Sequence, residues 1–153
     1  MAEFIAVTAC NHPKLADHQA VEQLLARYYF GPEFHVGVGF DHDDGEPYLF
    51  IYGYGWPEAW HVPDGVNSDE FNPYEGDLYE EGGAGFNQLL VAVAKHLVQP
   101  LTVQAVGSVK CCFPLSACEW QIKPGGRKVQ VNEFRGDVEP ASKPTKGAKV
   151  SAS

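Results

Sequence analysis

The densest run of side chains able to do chemistry is Asp41-His42-Asp43-Asp44, with Glu46 just beyond it. Carboxylates beside an imidazole can hold a divalent cation. A calcium loop, however, needs ligands at alternate positions and a glutamate at its twelfth, and this run lacks that glutamate. Asp43-Asp44-Gly45 has turn chemistry instead, so the cluster reads first as the solvated tip of a hairpin. Glu58 and His61 form a Glu-x-x-His pair that would share a face if Pro57 to His61 were a helical turn. Carboxylate-bridged di-iron sites need two such pairs and two further glutamates, so one pair does not make that centre. The remaining histidines, 12, 18, 35, 42 and 96, show no zinc-ligand spacing. The expectation is no bound metal and no cofactor.

Four cysteines, Cys10, Cys111, Cys112 and Cys118, are the other candidate nucleophiles. A disulfide between the adjacent pair would be strained, so reduced thiols and a cytoplasmic location are expected, most of the thiols acting as small buried hydrophobes. Lys110 is the single local feature that would favour a thiolate. Gly82-Gly83-Ala84-Gly85 before a helix resembles a phosphate-binding turn, but no P-loop lysine follows and Glu80 and Glu81 would repel phosphate. It reads as a flexible helix entry. No catalytic residue emerges from these patterns, and an enzyme is the less favoured reading.

These side chains must be positioned by a small set of elements. The 153 residues suit one domain, with 44% hydrophobic and 20% charged residues as in ordinary globular proteins. Residues 3–9 form a short apolar strand, and Val21, Leu24, Leu25 and Tyr28 stand at helical spacing, predicting a helix over 14–30. Phe34 to Asp41 and Tyr48 to Gly55 alternate as the two strands of a hairpin, aliphatic on one face and aromatic on the other. Setting Asp41 opposite Tyr48 would place Gly39 against Phe50 and Gly37 against Tyr52, so that rings lie over bare glycine backbone. The aromatic row would then be either surface or a second buried face. Residues 56–83 form a long, proline-interrupted, aromatic segment expected to fold back on the domain.

A second helix runs through Phe86, Leu89, Leu90, Val93 and Leu97 and ends before Pro100, with Lys95 and His96 in its last turn. Three strands follow, over 101–110, 117–123 and 127–134. The predicted class is α+β: an antiparallel sheet with both helices on one face, in the order β-α-β-β-long loop-α-β-β-β. The domain is expected to span 1–136. Residues 137–153 lack apolar side chains to offset ordering entropy and are expected to be a disordered tail that truncation would not destabilise. No apolar run has the length of a membrane span, and the first residues lack the basic start of a signal peptide.

Charge distribution separates the function classes. Residues 28–94 contain thirteen acids, no lysine or arginine, and fifteen of the nineteen aromatic residues. The whole chain carries −9, so the excess negative charge is concentrated in this block. Such a field opposes direct binding of nucleic acid or anionic lipid and favours a basic protein surface. The leading expectation is a protein-binding module of the inhibitor, immunity-protein or nucleic-acid-mimic kind. Asp41, Asp43, Asp44 and Glu46 would steer the partner, and Tyr52, Tyr54, Trp56 and Trp60 would anchor it. The alternatives are a small, metal-assisted enzyme using His35, Asp41, His42, Glu58 or His61, and a sugar or organic-cation binder using the tyrosine row. Composition fixes no oligomeric state.

Overall fold

The computed structural model describes residues 5–73, 82–110 and 113–136. Along the chain these are β1 (Ile5–Cys10), α1 (His18–Leu25), β2 (Tyr28–Phe30), β3 (Phe34–Phe40), β4 (Pro47–Tyr54), β5 (Ala59–His61), α2 (Gly82–Ala94), β6 (Leu101–Lys110), β7 (Phe113–Ile122) and β8 (Gln130–Gly136). Six strands build one sheet in the order β3-β4-β1-β6-β7-β8, and every neighbouring pair is antiparallel. β1 is therefore the seam between a β3–β4 hairpin and a β6–β7–β8 meander. The predicted α+β class, the element order and the antiparallel sheet all hold, with β2 and β5 added as a separate two-stranded ribbon.

One face of the sheet makes the core. Leu49 and Ile51 of β4, Leu101, Val103 and Ala105 of β6, and Trp120 and Ile122 of β7 alternate onto that face, and they form one buried cluster with Phe86, Leu89, Leu90 and Val93 of α2. Burying each large side chain of this kind contributes about 1.5–3 kcal/mol. Both helices lie on this side, because α1 adds Val21 and Leu25 to the same cluster.

Several boundaries differ from expectation for local reasons. The first helix is shorter than 14–30. It starts where the Asp17 side chain accepts the Ala20 N–H at 3.1 Å, while Lys14 and Leu15 are drawn into bridges with Tyr48 and Leu97. Tyr28 continues the helical spacing, but Tyr28–Phe30 is aromatic, favours extended backbone and finds a partner in β5. Ala59–His61 is consequently a strand and not a helical turn, so the segment after Trp56 folds back as expected but by pairing. α2 stops at Ala94, leaving Lys95 and His96 past its end, and the Ala94 carbonyl is satisfied by the Gly125 N–H at 2.7 Å.

The four-residue run Gly82–Gly85 is part of α2 and is a packing surface, not a flexible entry. A Cβ on Gly85 would collide with the Ala59 carbonyl of β5, and one on Gly82 would lie 2.6 Å from Trp60 Cζ2. Glycine lets the helix approach the ribbon this closely. The expectations for residues 137–153, for Cys111 and Cys112, and for Glu80 and Glu81 fall outside the described residues.

Candidate functional site

Among the described residues, no helix covers the other face of the sheet. Its residues follow from strand alternation: His35, Gly37 and Gly39 on β3; Tyr48, Phe50, Tyr52 and Tyr54 on β4; Val7 and Ala9 on β1; Gln104 and Val106 on β6; Ala117 and Glu119 on β7; Asn132 and Phe134 on β8. Register aligns them into rows that cross the strands. One row runs Tyr54, Val7, Val106, Ala117, Phe134, and the next runs His35, Tyr52, Ala9, Gln104, Glu119, Asn132. In the first, Tyr54 is 71% exposed, Phe134 54%, Val7 52% and Val106 47%, so an apolar stripe crosses five strands in contact with water. The second row is more polar, with the Gln104 amide donating to Glu119 at 2.8 Å.

The hairpin faces are as expected, but the register is shifted by two residues. Gly37 pairs with Phe50, Gly39 with Tyr48, and His35 with Tyr52. A two-residue shift preserves every face, because side chains alternate with period two. The cause is a tighter turn. The Asp41 N–H donates to the Glu46 carbonyl at 2.9 Å, and the Asp41 carboxylate accepts the N–H groups of Asp43 and Asp44 at 2.7 and 3.3 Å. Rings do lie over glycine: a Cβ on Gly37 would be 2.5 Å from Phe50 Cζ, and one on Gly39 2.7 Å from Tyr48 Cζ. The row is extended by stacking of His35 on Tyr52 at 4.9 Å and of His12 on Tyr48 at 5.0 Å.

The acidic turn closes one end of this face. The connector after β1 carries Lys14 to it, where the ammonium bonds both Asp44 oxygens at 2.8 and 3.0 Å and approaches Asp41 at 3.6 Å. Asp44 is held below its ordinary carboxylate pKa first by Lys14, and Asp41 is held low first by the N–H groups of Asp43 and Asp44. One lysine from outside the 28–94 block thus offsets part of its charge. Asp43 and Glu46 remain exposed.

The residues expected to anchor a partner do not form one patch. Tyr52 and Tyr54 stand on the open face, with Tyr54 about 23 Å along β4 from Pro47 at the acidic turn. Trp60, 4% exposed, is a core residue between the ribbon and α2, not a surface anchor. Trp56 is half-buried on the helix side, edge-on to Trp120 at 6.3 Å. The polar groups proposed for catalysis are also dispersed. Glu58 precedes β5, where burial pushes its carboxyl up, and His61 at the end of β5 meets the Tyr28 ring at 5.1 Å. Residues three apart in extended chain point to opposite faces, so this pair cannot share one. Among the described residues, no three His, Cys, Asp or Glu side chains are grouped to hold a metal.

Val7, Val106 and Phe134 are the surface residues that sequence reasoning missed. Val7 and Val106 sit out of phase with the buried positions of their own strands, which was the available signal, whereas no described residue of β8 is buried to set a phase for Phe134. A cleft of about 510 Å³ on the helix side, between the start of α2 and strands β7 and β8, was missed as well. Its walls come from distant segments with no shared motif. Comparison with protein-family models, with curated proteins and with solved structures finds no match for the chain.

Proposed function

We propose that the protein is a docking module whose open sheet face receives a basic protein partner. One observation carries this reading: Tyr54, Val7, Val106 and Phe134 form an exposed row across the sheet, with Tyr52 beside it. Isolated exposed apolar residues need no explanation, but an aligned set on one open face marks an interaction surface. Tyrosines suit the centre of an interface, since each offers a large rigid ring and a hydroxyl.

The preference for a basic partner rests on charge. Asp43 and Glu46 at the turn and Glu119 on the face itself are carboxylates that would steer such a partner, and residues 28–94 contain no lysine or arginine to repel it. The anchors in this reading are Tyr52, Tyr54 and Phe134. Trp60 serves the fold.

The test is recovery of partners from native host extract on the immobilised full chain, at low and high salt. It is run beside a Tyr54→Ser/Phe134→Ser variant shown to melt like the parent. A basic protein retained at low salt, released by high salt and lost from the variant is the expected result. Retention that is unaffected by the double substitution, or the absence of any basic protein, removes the reading.

A further inference from the structure

The cleft on the helix side has a chemistry of its own, and of its lining residues Ala117 and Phe134 also belong to the docking face. β7 and β8 extend past the cover of α2, so Val131 on this side is 40% exposed. Trp56, from the β4–β5 connection, folds over the gap. Trp120 forms the floor, 7% exposed and edge-on both to Trp56 and, at 5.4 Å, to the fully buried Phe86 behind it. The polar groups are Asn87 from α2, Ser116 and Cys118 from β7, and Glu133, which pairs with Cys118 across β7–β8.

Of these, Glu133 is the one full charge and accepts only. The Asn87 Oδ1 atom is out of solvent contact and has no hydrogen-bond partner among the described residues, so a rotation of its side chain must turn it toward a donor in the cleft. An unsatisfied buried acceptor costs about 1–3 kcal/mol, so it invites a donor. The Glu133 carboxylate lines the same cleft, and among the described residues no lysine, arginine or histidine does. Burial, with the Glu133 charge adding to it, raises the Cys118 thiol to about 11, so this sulfur is protonated at neutral pH and is not a nucleophile. Gly83 brings the start of α2 to one wall. A helix end carries only about half a positive charge, which the full charge of Glu133 outweighs.

We infer that the cleft binds a small primary ammonium compound, its charge balanced by Glu133, its N–H donated to Asn87 Oδ1 and its carbon chain laid against Trp56 and Trp120. The volume lies within the usual range for small-ligand sites. Aromatic faces attract cations, and a primary ammonium has the N–H groups that a quaternary one lacks. The inference does not depend on the docking reading, whose face lies across the sheet apart from the shared Ala117 and Phe134, and neither of these carries the charge or the hydrogen bond assigned to the ligand.

Titration of the full-length protein with n-butylammonium, followed by calorimetry and by tryptophan fluorescence, tests it. Tetramethylammonium, n-butanol and n-butyrate serve as comparison probes. Saturable binding of n-butylammonium is expected, with tetramethylammonium weaker and n-butanol and n-butyrate weaker still. Glu133→Gln alters an exposed side chain and should leave folding intact, while weakening n-butylammonium about tenfold or more. Asn87→Leu should weaken n-butylammonium and leave tetramethylammonium unchanged. Butyrate binding as well as butylammonium, or affinity unchanged in Glu133→Gln, overturns the proposal. So does absence of saturation by any ammonium probe. A folding defect in Asn87→Leu leaves the Glu133→Gln result to decide.

Discussion

Two neighbouring pairs on one strand show how differently the two faces of this sheet are used. On β4, Leu49 and Ile51 are 0% and 1% exposed, whereas Tyr52 and Tyr54 are 52% and 71% exposed. Both sets are apolar enough to be core. The difference is set by what lies opposite: α2 and α1 cover the aliphatic side, and no described element covers the aromatic side. Residue type is consistent with that division, because tyrosine hydroxyls can stay hydrated while leucine and isoleucine offer water nothing. Stability should therefore reside on one face and recognition on the other.

The sharpest way to break this comparison is to truncate one residue on each face. Leu90, 1% exposed beneath the sheet, should lose about 2–5 kcal/mol as Leu90→Ala, from lost transfer energy and the cavity left behind. Tyr54→Ala should change stability by about 0.5 kcal/mol or less. Urea unfolding of both variants gives the comparison directly. Equal losses would mean that Tyr54 is covered in solution, and the two-face division would fail.

A smaller effect sharpens the electrostatics of the acidic turn. Asp44 and Asp41 have folded pKa values below their ordinary ones, and Lys14 has a raised one, its hydrogen bond to Asp44 being the largest cause. For the carboxylates the sign is fixed: their contribution is present above the unfolded value of about 3.9 and is lost as pH falls through the lower folded value. For Lys14 the contribution is present below about 10.4 and is lost as pH rises through its higher folded value. All three groups are solvent-screened, so the melting temperature should move little at neutral pH. Asp44→Asn should flatten the acid limb of the stability profile. It should also leave Lys14 with Asp41 as its remaining carboxylate neighbour and weaken any steering by the turn. An acid limb identical to that of the parent would show that the pair is not formed in solution.

The sequence made some of this legible and left other parts hidden, for physical reasons. Alternation in 34–41 and 48–55 reveals both faces of the hairpin, and periodicity through Phe86, Leu89, Leu90 and Val93 reveals the central helix, because both signals are local. The register was misjudged by one pleat, since it depends on Asp41 closing the turn through backbone hydrogen bonds that composition does not encode. β5 was hidden because a three-residue strand exists only by pairing with β2. Trp60 looked like a surface anchor within an acidic block, yet Gly82 and Gly85, far along the chain, let α2 close over it. The stripe from Tyr54 to Phe134 and the cleft around Glu133 assemble residues from several elements, so they appear only once strand order is known.

The smallest predicted effect bears on the cleft. Cys118 lies on the covered side of β7, 6% exposed, with its thiol pushed up to about 11 chiefly by burial and then by the carboxylates of Glu133 and Glu119. A raised folded value means that this thiol contributes stability below its unfolded value of about 8.5, and that the contribution is lost as pH rises through about 11. At neutral pH the native protein should therefore alkylate slowly at Cys118. Burial is the larger cause, so removing one charge should lower the thiol pKa only in part. Glu133→Gln should shift the pH dependence of Cys118 alkylation to lower pH while leaving the rate at pH 7 low, with modified sites assigned by peptide mass. Neutralising Glu133 without moving that profile would place its carboxylate away from the cleft, and the charge assigned to the ammonium site would be lost with it. A profile that falls all the way to that of an unfolded cysteine would instead show that burial contributes little, contradicting the covered position of β7.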